Sequence, residues 1–276
     1  MNGDTGLHTA PRTKGHGLVT SLGSFLTNNK GVLLAYDHGL EHGPSDFDAT
    51  SVDPRFVVDL ASKAGFNGII LQKGVAERYY DGTVPLILKL NGKTNLVQGD
   101  PVSSQICSVE EALALGAKAI GYTIYPGSIH ESLMLHEFGK IKEEARRREL
   151  PAITWIYPRG KSIKNDISPK IVAYAARIGL EIGADAVKIK YTGDVKSFRW
   201  AVKSAGKTKV FMSGGPKADS GISFLRQVRE VMDAGAAGVA VGRNVWQNRN
   251  PLKISEALRK VVVDDWSLKE ARKLLT

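Results

Sequence analysis

Eight short runs rich in apolar and β-branched residues recur along the chain, at 31–36, 68–72, 85–90, 117–124, 152–157, 184–191, 209–212 and 238–241. Each is followed by a longer segment with helical spacing. Strands alternating with helices imply parallel βαβ units, whose buried strands are near-continuous apolar runs. Eight such units in 276 residues predict a single-domain TIM (β/α)8 barrel, a fold of about 250 residues. The competing topology is an open, doubly wound sheet. Local punctuation agrees with regular winding. Asp53-Pro54 and Ser168-Pro169 each place a cap before a first-turn proline. Ser108-Val109-Glu110-Glu111 is the pattern of a capping box. Gly65, Gly116, Gly183 and Gly235 follow helical segments where a left-handed C-cap is needed. The third unit is irregular: between Leu90 and Ser108 lies a stretch rich in Gly, Asn and Pro with no helical pattern. Residues 1–20 are expected to form a polar arm, 21–263 the barrel and 264–276 a helical tail.

Composition narrows the function classes. One cysteine, Cys107, excludes an intrachain disulfide framework and fits a cytoplasmic protein. No apolar run approaches the ~18 residues of a membrane span, and Met1 to Gly17 lacks the apolar centre of a secretory signal. The net charge of +10 favours anionic partners. The cations are spread out, however, and the densest cluster, 140–148, is interleaved with Glu143 and Glu144 on a helical pattern, as on a solvated face. No nucleic-acid signature is present. A small phosphorylated metabolite remains the expected anion.

A barrel carries its chemistry at the C-terminal ends of its strands. Alternation with period two puts Ala186, Lys188 and Lys190 on one face of the sixth strand and Val187 and Ile189 on the other. Two lysines are then expected in the mouth, the alternative being a pair that snorkels to solvent at the strand end. Burial and a neighbouring cation both favour a neutral amine, the form that Schiff-base chemistry needs. Lys188 lies deeper and is the better nucleophile; Lys190, nearer solvent, stays charged and suits a phosphate. On the fifth strand Ile153, Trp155 and Tyr157 share a face; Trp155 and Tyr157 are either barrel filling or, for the Tyr157 phenol beside a Schiff base, a proton donor. Arg159 follows on a Pro/Gly-shaped loop, placed to clamp an anion. Asp37 ends the first strand on the face of Leu33 and Ala35, either as a salt-bridge partner for a barrel lysine or as an acid/base. His38 and His42 stand four apart around Glu41, but no third ligand accompanies them, so no metal is expected. Ser213-Gly214-Gly215-Pro216-Lys217 after strand seven and Gly242-Arg243-Asn244 after strand eight fit a phosphate-binding pair of loops.

These residues resemble a known family. Residues 36–44, 88–94, 122–128 and 157–160, then 188–194, 213–217 and 241–244, are together similar to the archaeal-type class I fructose-bisphosphate aldolases, in order over residues 30 to 262. The resemblance implies a metal-free, cofactor-free lyase that cleaves fructose 1,6-bisphosphate reversibly to dihydroxyacetone phosphate and glyceraldehyde 3-phosphate. It implies Lys188 as the Schiff-base lysine, Tyr157 as the acid/base and Asp37 as a supporting group near the C4 hydroxyl. It also implies that Ser213, Gly214, Gly215, Gly242 and Arg243 hold one phosphate. Arg159, His42 and Asp46 would contact the far end of the substrate, and Trp155, Lys190 and His38 would line the pocket. A homo-oligomer, often a decamer in the family, is implied by analogy. The same superfamily includes an aminodideoxyheptulosonate synthase and a thiolase acting on a signalling-molecule phosphate. Glu41-His42 and residues 89–93 favour the bisphosphate enzyme. A non-catalytic phosphosugar-binding protein would keep the phosphate loops but not need the lysine–tyrosine pair.

Overall fold

The computed structural model describes residues 21–275; the arm expected at 1–20 lies outside the described residues. Among the described residues ten strands form, β1 (Gly31–Ala35), β2 (Gly68–Gln72), β3 (Leu86–Lys89), β4 (Asn91–Gly92), β5 (Ser104–Gln105), β6 (Ala119–Ile124), β7 (Ala152–Ile156), β8 (Ala186–Ile189), β9 (Lys209–Ser213) and β10 (Gly238–Val241). Eight of them close a parallel barrel in the order β1-β10-β9-β8-β7-β6-β3-β2, and the open-sheet alternative is excluded. The helices are α1 (Gly39–His42), α2 (Pro54–Lys63), α3 (Lys73–Tyr79), α4 (Val109–Ala114), α5 (Glu131–Arg147), α6 (Pro169–Glu181), α7 (Val195–Ser204), α8 (Gly221–Asp233), α9 (Arg243–Trp246), α10 (Pro251–Val263) and α11 (Leu268–Arg272).

Strand alternation sorts the apolar residues into two cores. Leu33, Ala35, Ile70, Ile87, Ala119, Ile153, Trp155, Ala186, Phe211 and Ala240 fill the barrel interior, closed below by Leu22 and the fully buried Phe25. The intervening residues, among them Val32, Leu34, Ile69, Leu71, Leu88 and Val187, face the helices. On α5, Met134, Phe138, Ile141 and Ala145 form one buried stripe at helical spacing. The basic stretch at its C-terminal end is solvated, with Arg147 paired to Glu143 one turn away. No helix among the described residues is long and apolar enough to cross a membrane.

The sequence punctuation is largely realised. The Asp53 side chain accepts the Arg55 amide, and Gly65, Gly116, Gly183 and Gly235 all have positive φ. Two details differ. Ser168 precedes Pro169 but makes no side-chain cap. Ser108 accepts the Glu111 amide, but the Glu111 carboxylate turns to Lys73 at 3.1 Å, so a charge-assisted contact replaces the return half of the capping box. In the irregular third unit, β4 and β5 pair antiparallel before the six-residue α4. Fully buried Asn91 braces that unit, donating to the carbonyls of Ser103 and Thr123 and accepting the Thr123 amide. After Asp264, where a helical tail was expected, α11 carries a true capping box at Ser267 and Glu270 and buries Ala271.

The helix α6 lies so close to β8 that a Cβ on Gly179 would stand 1.9 Å from Val187 Cγ1. Val187 backs the strand that carries Lys188, so it has no free direction in which to yield. Gly179→Ala is therefore expected to lower unfolding free energy by about 2 kcal/mol through overpacking. Urea unfolding followed by far-UV circular dichroism measures this, and an unchanged midpoint would refute it.

Candidate active site

The C-terminal ends of β1, β2, β3, β6, β7 and β8 bound a narrow cleft of about 60 Å3, lined by Asp37, His38, Glu41, Gln72, Lys89, Lys93, Thr123, Tyr125, Trp155, Tyr157 and Lys188 among others. Lys188 stands at its base, 4% exposed. Its strand position makes it the Cα partner of Trp155 on β7 and Phe211 on β9, with side chain inward. Its Nζ lies 5.0 Å from the centroid of the Trp155 ring. Burial lowers the Lys188 pKa to about 8, helped by Lys89 and Arg243 and opposed by Asp37.

The second cation of the site is Lys89, which ends β3. Lys89 is 5% exposed, and its Nζ lies 5.3 Å from the Trp155 ring centroid, so both amines flank one indole. Burial lowers its pKa as well, against the pull of Asp37 and Glu41. Gly121 makes this packing possible: a Cβ there would lie 2.5 Å from Trp155 Cη2. Lys190 is not this second cation. The ladder of β8 ends at Ile189, so alternation no longer governs the next residue. Lys190 turns to an ion pair with Asp166 on the loop between β7 and α6 and lies outside the residues lining the cleft.

Asp37 has an 8% exposed side chain. Burial pushes its pKa up, but Lys188, His38 and Lys89 outweigh it, and the carboxyl is held below its ordinary value. His38 is pushed the other way: burial, with Lys188, Arg243 and His42, lowers it to about 4 against the pull of Asp37. It is a neutral imidazole at pH 7. Tyr157 donates to Ser213 Oγ at 3.0 Å. Burial raises its pKa well above the ordinary phenol, a shift that the Ser213 bond only reduces, so the hydroxyl stays protonated in the empty site.

Arg159 projects over the Tyr125 and Tyr157 rings, 5.4 and 5.7 Å from their centroids, and donates to Glu41 at 2.8 Å. Lys93 lies 3.6 Å from the same carboxylate. His42 and Asp46, expected beside Arg159, stand elsewhere. They pair with each other, and Asp46 lies 3.3 Å from Arg243, because the chain after β1 turns through α1 toward β10. They therefore flank the loops after β9 and β10. There Arg243 also donates to the Gly215 carbonyl at 3.2 Å. Asn244 clamps the loop by bonding the carbonyls of Gly214 and Pro216 and the amide of Ala218. Gly215 has φ of +64°, and a Cβ on Gly242 would stand 2.6 Å from the Ala35 carbonyl oxygen. Both glycines are thus required by the backbone path, and with Ser213 and Gly214 they line the turn that faces Arg243. Among the described residues, no group of three or more His, Cys, Asp or Glu side chains comes together as a metal site.

Sequence reasoning missed Lys89, Lys93, Tyr125 and Gln72 as members of this cleft. For Lys89 the signal was present: a charged residue ends the run Leu86-Ile87-Leu88, in phase with inward-facing Ile87, as Lys188 ends its own strand.

Comparison with known proteins agrees with this geometry. Residues 31–248 match the family model described as DeoC/LacD family aldolase. The chain is 57% identical over 248 residues to fructose-bisphosphate aldolase class 1 of Thermoproteus tenax, covering 89% of this chain and 94% of that one. It is 46% identical over 249 residues to the protein of the same name in Halobacterium salinarum, covering 88% and 94%. A solved Schiff-base-forming fructose-1,6-bisphosphate aldolase superposes with a TM-score of 0.86 at 57% identity, covering 87% of this chain and 97% of that chain. A fructose-bisphosphate aldolase from Slackia heliotrinireducens superposes at 0.85 with 28% identity, covering 96% and 95%. The closed barrel, the buried lysine at the end of β8 and the match over most of the chain have one reading: the chain belongs to the DeoC/LacD family of aldolases.

Proposed function

We infer that the chain is a class I fructose-1,6-bisphosphate aldolase, a metal-independent lyase that works through a Schiff base on Lys188. The observation that carries this reading is the Lys188 amine itself, buried at the base of the cleft with its pKa lowered to about 8. A normal lysine near pH 7 is almost wholly protonated and cannot attack a carbonyl; this one has a usable neutral fraction.

The mechanism follows from the residues around it. Neutral Lys188 attacks the C2 carbonyl, and the carbinolamine loses water to give an iminium. The Tyr157 phenol donates the proton that turns the departing hydroxyl into water. The phenolate left behind faces the new iminium cation, which stabilises it until it takes a proton from the C4 hydroxyl. As that proton leaves, the C3–C4 bond breaks, its electrons enter the iminium, and an enamine remains while glyceraldehyde 3-phosphate departs. Protonation of the enamine at C3 and hydrolysis release dihydroxyacetone phosphate and free Lys188. Asp37, ionised although buried, balances the positive charge on nitrogen and orients the amine. Its place among Lys188, His38 and Lys89 favours this over a proton-transfer role. Ser213, Gly214, Gly215, Gly242 and Arg243 hold the phosphate of the dihydroxyacetone half, with His42 and Asp46 setting the Arg243 side chain. Arg159 and Lys93 meet the far phosphate, and Trp155 and His38 wall the pocket. Lys190 acts only indirectly, by tethering the loop of Asp166. A homo-oligomeric, cytoplasmic enzyme is the accompanying expectation.

A cleavage assay with fructose 1,6-bisphosphate beside fructose 1-phosphate tests substrate and far-phosphate contacts together. The bisphosphate should be cleaved with the higher kcat/KM, and excess EDTA should leave the rate intact. EDTA inactivation reversed by added metal would overturn the Schiff-base reading.

The pH profile has a definite sign. Deprotonation activates Lys188, so kcat/KM should rise with pH along a limb centred at about 8. Lys89 is one cause of the lowered value. Lys89→Met removes that cation, raises the Lys188 pKa and should displace the limb to higher pH. A limb that stays in place or moves down refutes the coupling.

A further inference from the structure

We propose that Gln72, acting with Lys89, forms the subsite that recognises a hydroxyl group on the aldehyde-derived half of the substrate; this rests on the aldolase reading above. Gln72 is the last residue of β2 and the direct Cα partner of Lys89 on β3. Gln72 Nε2 and Lys89 Nζ both donate to the Asn91 carbonyl oxygen, each at 3.3 Å. A carbonyl oxygen only accepts, so this bond fixes which end of the amide is nitrogen. Gln72 Oε1 must then point away from Asn91. It is buried and has no hydrogen-bond partner among the described residues, although Gln72 lines the cleft. Buried polar atoms are rarely left unpaired, and at an active site an orphan acceptor marks where a ligand donates. Trp155 Nε1, on the ring that Lys89 and Lys188 flank, is a second orphan, and it is a donor.

The chemistry of these atoms selects the ligand group. Lys89 and Trp155 offer protons, and Gln72 Oε1 offers lone pairs. A hydroxyl satisfies both by accepting from one side and donating to the other. An ionised phosphate accepts only and would oppose Gln72 Oε1, so this subsite is not a phosphate pocket. The barrel order says which part of the substrate reaches it. β2 stands four strands from β8, and β3 four strands from β9, directly across the mouth from Lys188 and from the Ser213 turn. A sugar phosphate held at β9 and bonded to Lys188 at C2 extends its remaining carbons across the mouth, where the hydroxyl-bearing aldehyde half meets Gln72 and Lys89.

The test uses the condensation direction, with dihydroxyacetone phosphate and either glyceraldehyde 3-phosphate or the same phosphorylated aldehyde lacking its 2-hydroxyl. A site built to pair a hydroxyl rejects the analogue without it, because its own polar groups are then stranded; the native enzyme should prefer glyceraldehyde 3-phosphate by about 100-fold or more in kcat/KM. In Gln72→Leu that preference should fall below about 10-fold, chiefly through loss of rate with the hydroxylated aldehyde. Borohydride trapping with dihydroxyacetone phosphate alone, which lacks the aldehyde half, should proceed equally in both proteins and reports that the variant is folded. Equal trapping with an unchanged preference would overturn the subsite and leave the aldolase reading standing. Absence of any adduct in the native enzyme would overturn that reading, and the subsite with it.

Discussion

Lys188→Met should lower kcat/KM for fructose 1,6-bisphosphate cleavage by about 10^5-fold and abolish borohydride-trapped adduct, while the barrel stays folded. The size follows from the role: a covalent nucleophile cannot be replaced by its neighbours, and its removal costs nearly the whole acceleration of the step it opens. Methionine has nearly the length of the lysine stem and keeps the contact with the Trp155 ring. Removing a cation beside a buried carboxylate is destabilising, but Asp37 retains Lys89 nearby. The expected cost is therefore a lowered melting temperature and not an unfolded chain. In the native enzyme, reduction in the presence of substrate should attach the mass of the reduced adduct to the peptide containing Lys188. Because a modified lysine resists trypsin, that peptide should run through to Lys190. An adduct on Lys89 or Lys190 would move the nucleophile and sink the mechanism as assigned.

Tyr157→Phe carries the second large effect. The ring and its packing beside Arg159 are retained, and only the hydroxyl and its 3.0 Å bond to Ser213 are lost. The stability cost is that of one neutral hydrogen bond, about 1 kcal/mol. The catalytic cost is that of a positioned acid/base, about 10^3-fold in kcat. Since the proton moves only in the transition state, kcat and kcat/KM should fall together with KM within a few-fold. Carbinolamine dehydration should slow as well, so the borohydride-trappable iminium should build up more slowly after mixing. A variant whose KM rises while kcat holds would show Tyr157 to be a binding group only.

Much of this was legible in the chain. Glycine C-caps, proline-led helix starts and eight apolar runs are local signals, and each produced its element within two residues at either end. Lys188, Trp155, Tyr157 and Asp37 were legible because they lie on strands or at strand ends, where alternation assigns the face. Lys190 was less legible for the same reason in reverse: it lies one residue past the last ladder pair, where Asp166 and not alternation decides the side chain's direction. The error with His42 and Asp46 is of another kind. Their partner Arg243 lies about 200 residues away, and nothing in the spacing of a short loop says which strand it leans toward.

The sequence by itself determined the barrel and the inward face of each strand, because periodicity and capping act between residues a few positions apart. Only the tertiary structure decided which inward residues meet. Closing the barrel puts β3 beside β6 and three strands from β8, with both strands' inward side chains reaching Trp155 on β7, so Lys89 and Lys188 come to flank the same indole although 99 positions separate them. That proximity is what makes one lysine lower the pKa of the other, and charge interactions depend on distance through the fold, which the order of residues along a strand does not contain.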